Sequence, residues 1–132
     1  MENRKIWEEK LKGRDALGKT ECPFCKKEEI PIIQEFENWY FIQNKYPYKG
    51  AKKHTLLVPK RHIEHTKNLQ NEELLELAKI EAYIEKYYKR ENYFSFIRQT
   101  NGGKSICHLH YHYISGVLYS NTLSTILQNQ HP

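Results

Sequence analysis

The chain has 132 residues, 39% hydrophobic and 13% aromatic, with 21 Lys and Arg against 16 Asp and Glu, a formal net charge of +5. These values fit one folded domain with a real core and exclude a disordered or fibrous chain. No segment approaches the ~20 apolar residues of a membrane span, and the amino terminus MENRKIWEEK has no signal-peptide core, so a soluble cytoplasmic protein is expected. The excess of lysine favours an anionic ligand, although the lysines are spread along the chain rather than gathered into a stripe.

Residues 4–17 place Ile6, Trp7, Leu11 and Leu17 at helical spacing among charges and predict a short amphipathic helix, weakened at Gly13. Cys22-Pro23-Phe24-Cys25 follows. In a chain with no export signal, Cys-x-x-Cys is either a redox pair or half of a metal site. A redox pair is expected after a strand and at the start of a long helix. Here a charged turn, Lys26–Glu29, leads into apolar residues, a context that favours a zinc knuckle. Zinc then needs two more ligands, and without a second Cys-x-x-Cys they must be histidines.

Residues 30–36 and 39–44 read as strands joined at Glu37-Asn38, and a loop with Pro47 and Gly50 leads to a buried strand, His54–Pro59. Asn71 is the expected cap of a helix of about twenty residues. Its expected apolar stripe is Leu74, Leu77, Ala78, Ala82, Ile84 and Tyr88, with Glu72 and Glu73 in the first turn and Lys86, Lys89 and Arg90 at the end. Residues 93–98 read as a strand, and 121–132 as a tail of one or two helical turns. The fold class predicted is α+β, an antiparallel sheet of about five strands with one long helix and short terminal helices. A single domain spans 1–132, with a helical lead-in over 1–20, a core over 22–116 and a tail over 117–132.

The run Cys107-His108-Leu109-His110-Tyr111-His112-Tyr113-Ile114 sets three imidazoles at two-residue spacing in an apolar frame. In a strand such residues share one face, along ~13 Å, with Leu109, Tyr111 and Tyr113 on the other. The alternation with large apolar residues excludes a purification tag. A turn precedes it, Asn101-Gly102-Gly103-Lys104-Ser105, whose glycines let backbone amides approach an anion and whose Ser105 adds a hydroxyl. The Asp and Glu cluster of a metal-dependent phosphatase is missing, which leaves direct attack of a neutral imidazole on phosphorus. Among the other residues, His65 is expected in an exposed loop, His131 in the tail, and Cys107 as a small buried side chain. Trp7 and Trp39 are expected as core anchors. Tyr40 and Tyr46 are candidates to stack on a base, and His54 to stand near the triad.

The run 108–114 resembles the triad motif of the histidine-triad (HIT) superfamily of nucleotide hydrolases and transferases. The resemblance extends from Cys22 to Ser115 and includes a second signature, His54-Thr55-Leu56-Leu57-Val58-Pro59-Lys60-Arg61-His62-Ile63. It implies that His110 attacks the α-phosphorus and forms a nucleotidyl-histidine, that His112 lines the phosphate site and assists proton transfer, and that Ser105 bonds the leaving group. Asn101 and Gly103 would meet the phosphate and Asn44 the ribose. Lys104 stands where many members have glutamine. Members with Cys-x-x-Cys bind a structural zinc, which here implies Cys22, Cys25, His62 and His108. The function expected is hydrolysis or transfer on a small nucleotide conjugate, a dinucleoside polyphosphate or a nucleoside phosphoramidate, by a homodimer. The alternative is a non-catalytic, zinc-stabilised nucleotide- or nucleic-acid-binding module, disfavoured by the scattered lysines and the lack of a recognition helix.

Overall fold

The computed structural model describes residues 22–129, so the expected helix over 4–17, Trp7 and His131 lie outside the described residues. Five strands, β1 (Ile32–Glu35), β2 (Trp39–Gln43), β3 (His54–Pro59), β4 (Tyr93–Phe96) and β5 (Tyr111–Ser115), form one sheet in the order β1-β2-β3-β5-β4. All neighbours are antiparallel. No helix among these residues is long and apolar enough to cross a membrane.

β3 lies in the middle and is buried along its whole length, because both faces of the sheet are covered. Thr55, Leu57 and Pro59 point to one face, with Tyr113, Phe41 and Trp39 respectively beside them in register. There they meet α1 (Asn71–Tyr87), whose Ile80 and Ile84, with Tyr88 just beyond its end, are fully buried. Leu56 and Val58 point to the opposite face and pack with Ile42 against Cys22, Phe24 and Ile106. Further along that second face, Ile114 packs with Tyr48 and with Ile126 of α2 (Ser120–Asn129). The second face therefore has the cysteine segment at one end, α2 at the other, and the histidines between.

Four expectations need correction. Asn71 is the first helical residue, and Gln70 is the cap, because the Glu73 carboxylate accepts the Gln70 N–H at 2.7 Å. The helix is 17 residues long, and the left-handed backbone of Lys89 (φ 58°) turns the chain away just past its end. Leu74, Ala78 and Ala82 are exposed, Leu74 at 46%; the buried line runs through Glu73, Ile80, Ile84 and Tyr88. The expected tail of one or two turns is a ten-residue helix.

Glu73 fixes that phase. It is 3% exposed, and Arg61 grips both of its carboxylate oxygens at 2.9 Å. Its backbone carbonyl accepts the Trp39 indole N–H at 3.0 Å. The Arg61 guanidinium holds the Glu73 carboxyl below the ordinary carboxylate range. The unfolded chain thus protonates Glu73 at a higher pH than the folded chain does. The stabilisation is present above about pH 4.3 and is lost as pH falls through the depressed folded value. Glu73→Gln is expected to cost about 1–2 kcal/mol at pH 7, since one arm of the pair is half exposed, and to flatten the acid fall of the melting temperature. Thermal melts of both proteins from pH 7 to about pH 4 check this.

Candidate metal centre and active site

The metal candidates come from three separate stretches. A single 3-10 turn, Pro23–Cys25, carries the cysteine pair, with Pro23 fixing its first position. His62 follows the end of β3 at a chain reversal, and His108 precedes β5. Paired strand geometry begins only at Tyr111, so the expectation of one continuous strand from His108 is corrected. The reason is local, because the Leu109 N–H bonds to the Ile63 carbonyl at 2.7 Å instead of to a strand partner.

One ligand atom from each of Cys22, Cys25, His62 and His108 lies within 4.8 Å of the others. Cys22 Sγ is 3.5 Å from His108 Nδ1, Cys25 Sγ is 3.6 Å from the same nitrogen, and Cys25 Sγ is 3.3 Å from His62 Nδ1. A tetrahedral ion with zinc bond lengths separates sulfur from nitrogen by about 3.6 Å. The His108 Nε2–H donates to the Pro59 carbonyl at 2.8 Å, which fixes the tautomer and leaves Nδ1 as a lone pair facing the sulfurs. Without a cation, burial first and then the neighbouring Cys25 push the Cys22 thiol up to about 12. A bound divalent ion reverses that balance and takes both thiols as thiolates. Donor types, spacing and tautomer all suit zinc.

Phe24, between the two cysteines, joins this centre to the remaining imidazoles. Its ring meets His108 edge-on at 5.8 Å and His110 at 5.4 Å. The His110 Nδ1–H donates to the His108 carbonyl at 2.8 Å, so Nε2 carries the lone pair. His110 is buried, and burial, more than the nearby charges of Lys104 and Arg98, lowers its pKa to about 4. At neutral pH it is therefore an uncharged nitrogen nucleophile held in one orientation.

His112, 5.0 Å from His110 between ring centres, stacks on Phe96 at 4.5 Å and meets Tyr48 at 5.6 Å, and those two rings also pack on each other at 6.4 Å. A hydrogen-bond chain sets its protons. The Tyr48 backbone N–H donates to His54 Nδ1 at 3.1 Å, so His54 carries its proton on Nε2. That proton is donated to His112 Nδ1 at 2.8 Å, which puts the His112 proton on Nε2. His54, expected only to stand near the triad, is thus bonded directly to it. Its place at the start of a predicted strand, at the head of the second signature segment, is the sequence signal for this; the register that sets it opposite Ile114 and within reach of His112 comes from the fold.

The other candidates divide. Asn44 takes the Tyr46 N–H on its side-chain oxygen at 2.9 Å and places Nδ2 3.4 Å from His54 Nδ1. It also lines a cleft with Phe24, Ile30, Pro31, Ile42 and Leu56. Gly103 has φ +82°, and a Cβ there would stand 2.8 Å from Arg98 Nε, so glycine is required on both counts. Ser105 is half-buried between that glycine and His108. Lys104 turns its ammonium onto the Glu64 and Cys107 carbonyls at 2.7 and 3.4 Å. Asn101 is exposed, shares a surface depression with His65 and Lys67, and accepts the Lys104 N–H on its carbonyl at 3.2 Å. His65, expected to be exposed, is half-buried.

An orienting imidazole behind one triad member and a cysteine knuckle locked to another are the plan of a histidine-triad protein. The family profile described as "Scavenger mRNA decapping enzyme C-term binding" matches residues 21–127. An uncharacterized HIT-like protein of Chlamydia trachomatis is 35% identical over 95 residues, covering 68% of this chain and 84% of that one. A solved HIT family hydrolase from Clostridium thermocellum is 30% identical, with a TM-score of 0.60, over 73% of this chain and 90% of its own. A hypothetical histidine triad nucleotide-binding protein from Sulfolobus tokodaii is 29% identical, with a TM-score of 0.61, over 75% and 71%. This chain belongs to the histidine-triad (HIT) superfamily.

Proposed function

We propose that the protein is a nucleotide hydrolase or nucleotidyl transferase that works through a covalent nucleotidyl-histidine on His110. The observation that carries this reading is the His110 Nδ1–H to His108 carbonyl bond, which leaves a neutral Nε2 lone pair beside His112. Names of relatives point the same way, one a hydrolase and one nucleotide-binding.

Nε2 of His110 attacks the α-phosphorus, a P–N bond forms, and the bond to the leaving group breaks with its electron pair. The leaving group takes up a proton from His112 Nε2, which His54 holds in place through Nδ1. Water then attacks phosphorus, its proton returns to His112, and the P–Nε2 bond breaks to release a nucleoside monophosphate. Transfer replaces that water by another nucleophile. The Gly103 amide and the Ser105 hydroxyl would meet phosphate and leaving group. Lys104 acts on the site through its charge, and Asn101 shapes the turn. The cleft at Asn44, about 70 Å³, would take the edge of the base while the ribose lies along Asn44.

Cys22, Cys25, His62 and His108 would hold one zinc ion, which supplies a fixed cross-link and no open coordination position for substrate. A homodimer joined through a helix-and-strand edge of the sheet is the assembly the resemblance implies, and light scattering on the purified chain tests it. The experiment for the reaction itself is a rapid quench with a nucleoside phosphoramidate, followed by peptide mass spectrometry. A nucleotidyl adduct on His110 is expected; turnover with no adduct there would reject the mechanism. Replacing His54 by Phe is expected to lower kcat by about 10- to 100-fold with KM and zinc content little changed, because it loosens the orientation of His112. Steady-state kinetics with metal analysis decide this.

A further inference from the structure

The face that carries the imidazoles has a second hollow. A cavity of about 260 Å³ lies between β4 and α2, walled by Phe94, Phe96, Leu123, Ile126 and Leu127, with the Arg98 guanidinium at its side. Strand register fixes its relation to the site. His112 stands opposite Leu56 of β3 and opposite Phe96 of β4. Leu56 lines the cleft at Asn44 and Phe96 lines this cavity, so the two hollows flank His112 from opposite sides. Arg98 spans the gap, its guanidinium 5.3 Å over the Phe96 ring and its Nε against Gly103.

A phosphorus atom bound beside His110 and His112 would have one hollow on each side. With the nucleoside in the cleft at Asn44, the group across the scissile bond points into the second. That hollow offers one cation near the glycine turn and apolar walls beyond it. A second nucleotide with its charged polyphosphate would lose hydration against those walls without compensation. An apolar cavity of about 150 Å³ accepts a benzene ring, so 260 Å³ accepts an aryl group on a short linker.

We propose that this cavity is the leaving-group subsite and that it selects nucleotide conjugates whose leaving group is an apolar aryl- or alkyl-bearing amine or alcohol. The inference rests on the nucleotidyl-transfer reading above and narrows its substrate class. The reaction balances as already written: the P–N or P–O bond to the apolar group breaks, its electron pair stays on that nitrogen or oxygen, and a proton is added there, with no change of oxidation state.

The test compares kcat/KM for adenosine 5′-phosphoramidates of 2-phenylethylamine and of 2-aminoethanol, with a dinucleoside polyphosphate as a third substrate. The phenylethyl conjugate is expected to lead the aminoethanol one by at least about tenfold, the scale of one or two methylenes in an apolar pocket. Leu123 and Leu127 are 44% and 52% exposed, so their replacement is compatible with folding. Both L127D, which adds a charge to the wall, and L123W, which fills the space, are expected to shrink that ratio at least about fivefold. A wild-type ratio near one, a faster polyphosphate, or a ratio unmoved in both variants would overturn the proposal. Variants that turn a dimer into a monomer with the ratio intact would give this surface to a second copy and overturn it too. The adduct on His110 separates the two levels: no adduct with any conjugate removes the underlying reading, whereas an adduct without leaving-group preference removes this proposal alone.

Discussion

Replacing His110 by alanine is expected to lower turnover of nucleotide conjugates by at least about a thousandfold, because the reaction loses its nucleophile rather than a helper. The fold and the bound metal should persist, since His110 supplies no metal ligand and meets the metal residues through the Phe24 ring and the His108 backbone carbonyl. Circular dichroism and metal analysis on the same preparation separate loss of chemistry from loss of structure. His110→Asn, which keeps a polar group of similar reach, should be as inactive, because an amide nitrogen has no lone pair available for attack. Residual activity within tenfold of the parent in both variants would assign the chemistry elsewhere.

The same histidine makes a pH prediction. An ordinary imidazole with pKa about 6.5 would be mostly protonated at pH 5.5, and about a tenfold loss of nucleophile would follow. Burial holds His110 at about 4, so its active, neutral form persists through that range. The rate of adduct formation is therefore expected to stay level from about pH 8 down to about pH 5.5, and to fall only as pH approaches the depressed value. Single-turnover measurements on metal-loaded protein check this.

Removing the metal is expected to be the largest single loss of stability. Structural zinc sites contribute folding free energy directly, and the four donors here come from three separate stretches of chain that an ion would tie together. Loss of even 3–5 kcal/mol, well below the ~10–16 of isolated zinc-finger peptides, would lower the melting temperature by about 10 °C or more. Chelation, or Cys22→Ser, should produce that shift, and Cys107→Ser should not, because Cys107 is not among the converging donors. One ion per chain in the parent and none in Cys22→Ser is the analytical signature. An unshifted melt after complete chelation would remove the structural role.

What could be read from the chain depended on range. The triad and the cysteine knuckle are local patterns, and each declares its chemistry through spacing of two or three residues. Strand boundaries at Pro59 and at Glu37-Asn38 were equally local, since proline and turn residues act on their neighbours. The helix phase was not. Leu74, Ala78 and Ala82 form as good a stripe on paper as the true one, and the choice was made by Arg61 drawing Glu73 inward and by the Trp39 indole on its carbonyl. His54 shows the same limit, for its partner His112 is 58 residues away and no spacing rule reaches that far. Lys104 stands in the glycine turn where the family resemblance puts a substrate-facing residue, yet its ammonium is taken by the carbonyls of Glu64, 40 residues earlier, and of Cys107.

The ligand His108 is 86 residues from Cys22. A ribosome releases the two cysteines long before it has made the histidine that completes their shell. During synthesis the thiols therefore stand without their histidine partner, open to oxidation and to competing ions, until almost the whole sheet has emerged. Capture of the proposed zinc ion would in this way be the closing act of maturation, and a cell short of zinc would accumulate nearly finished chains rather than early fragments.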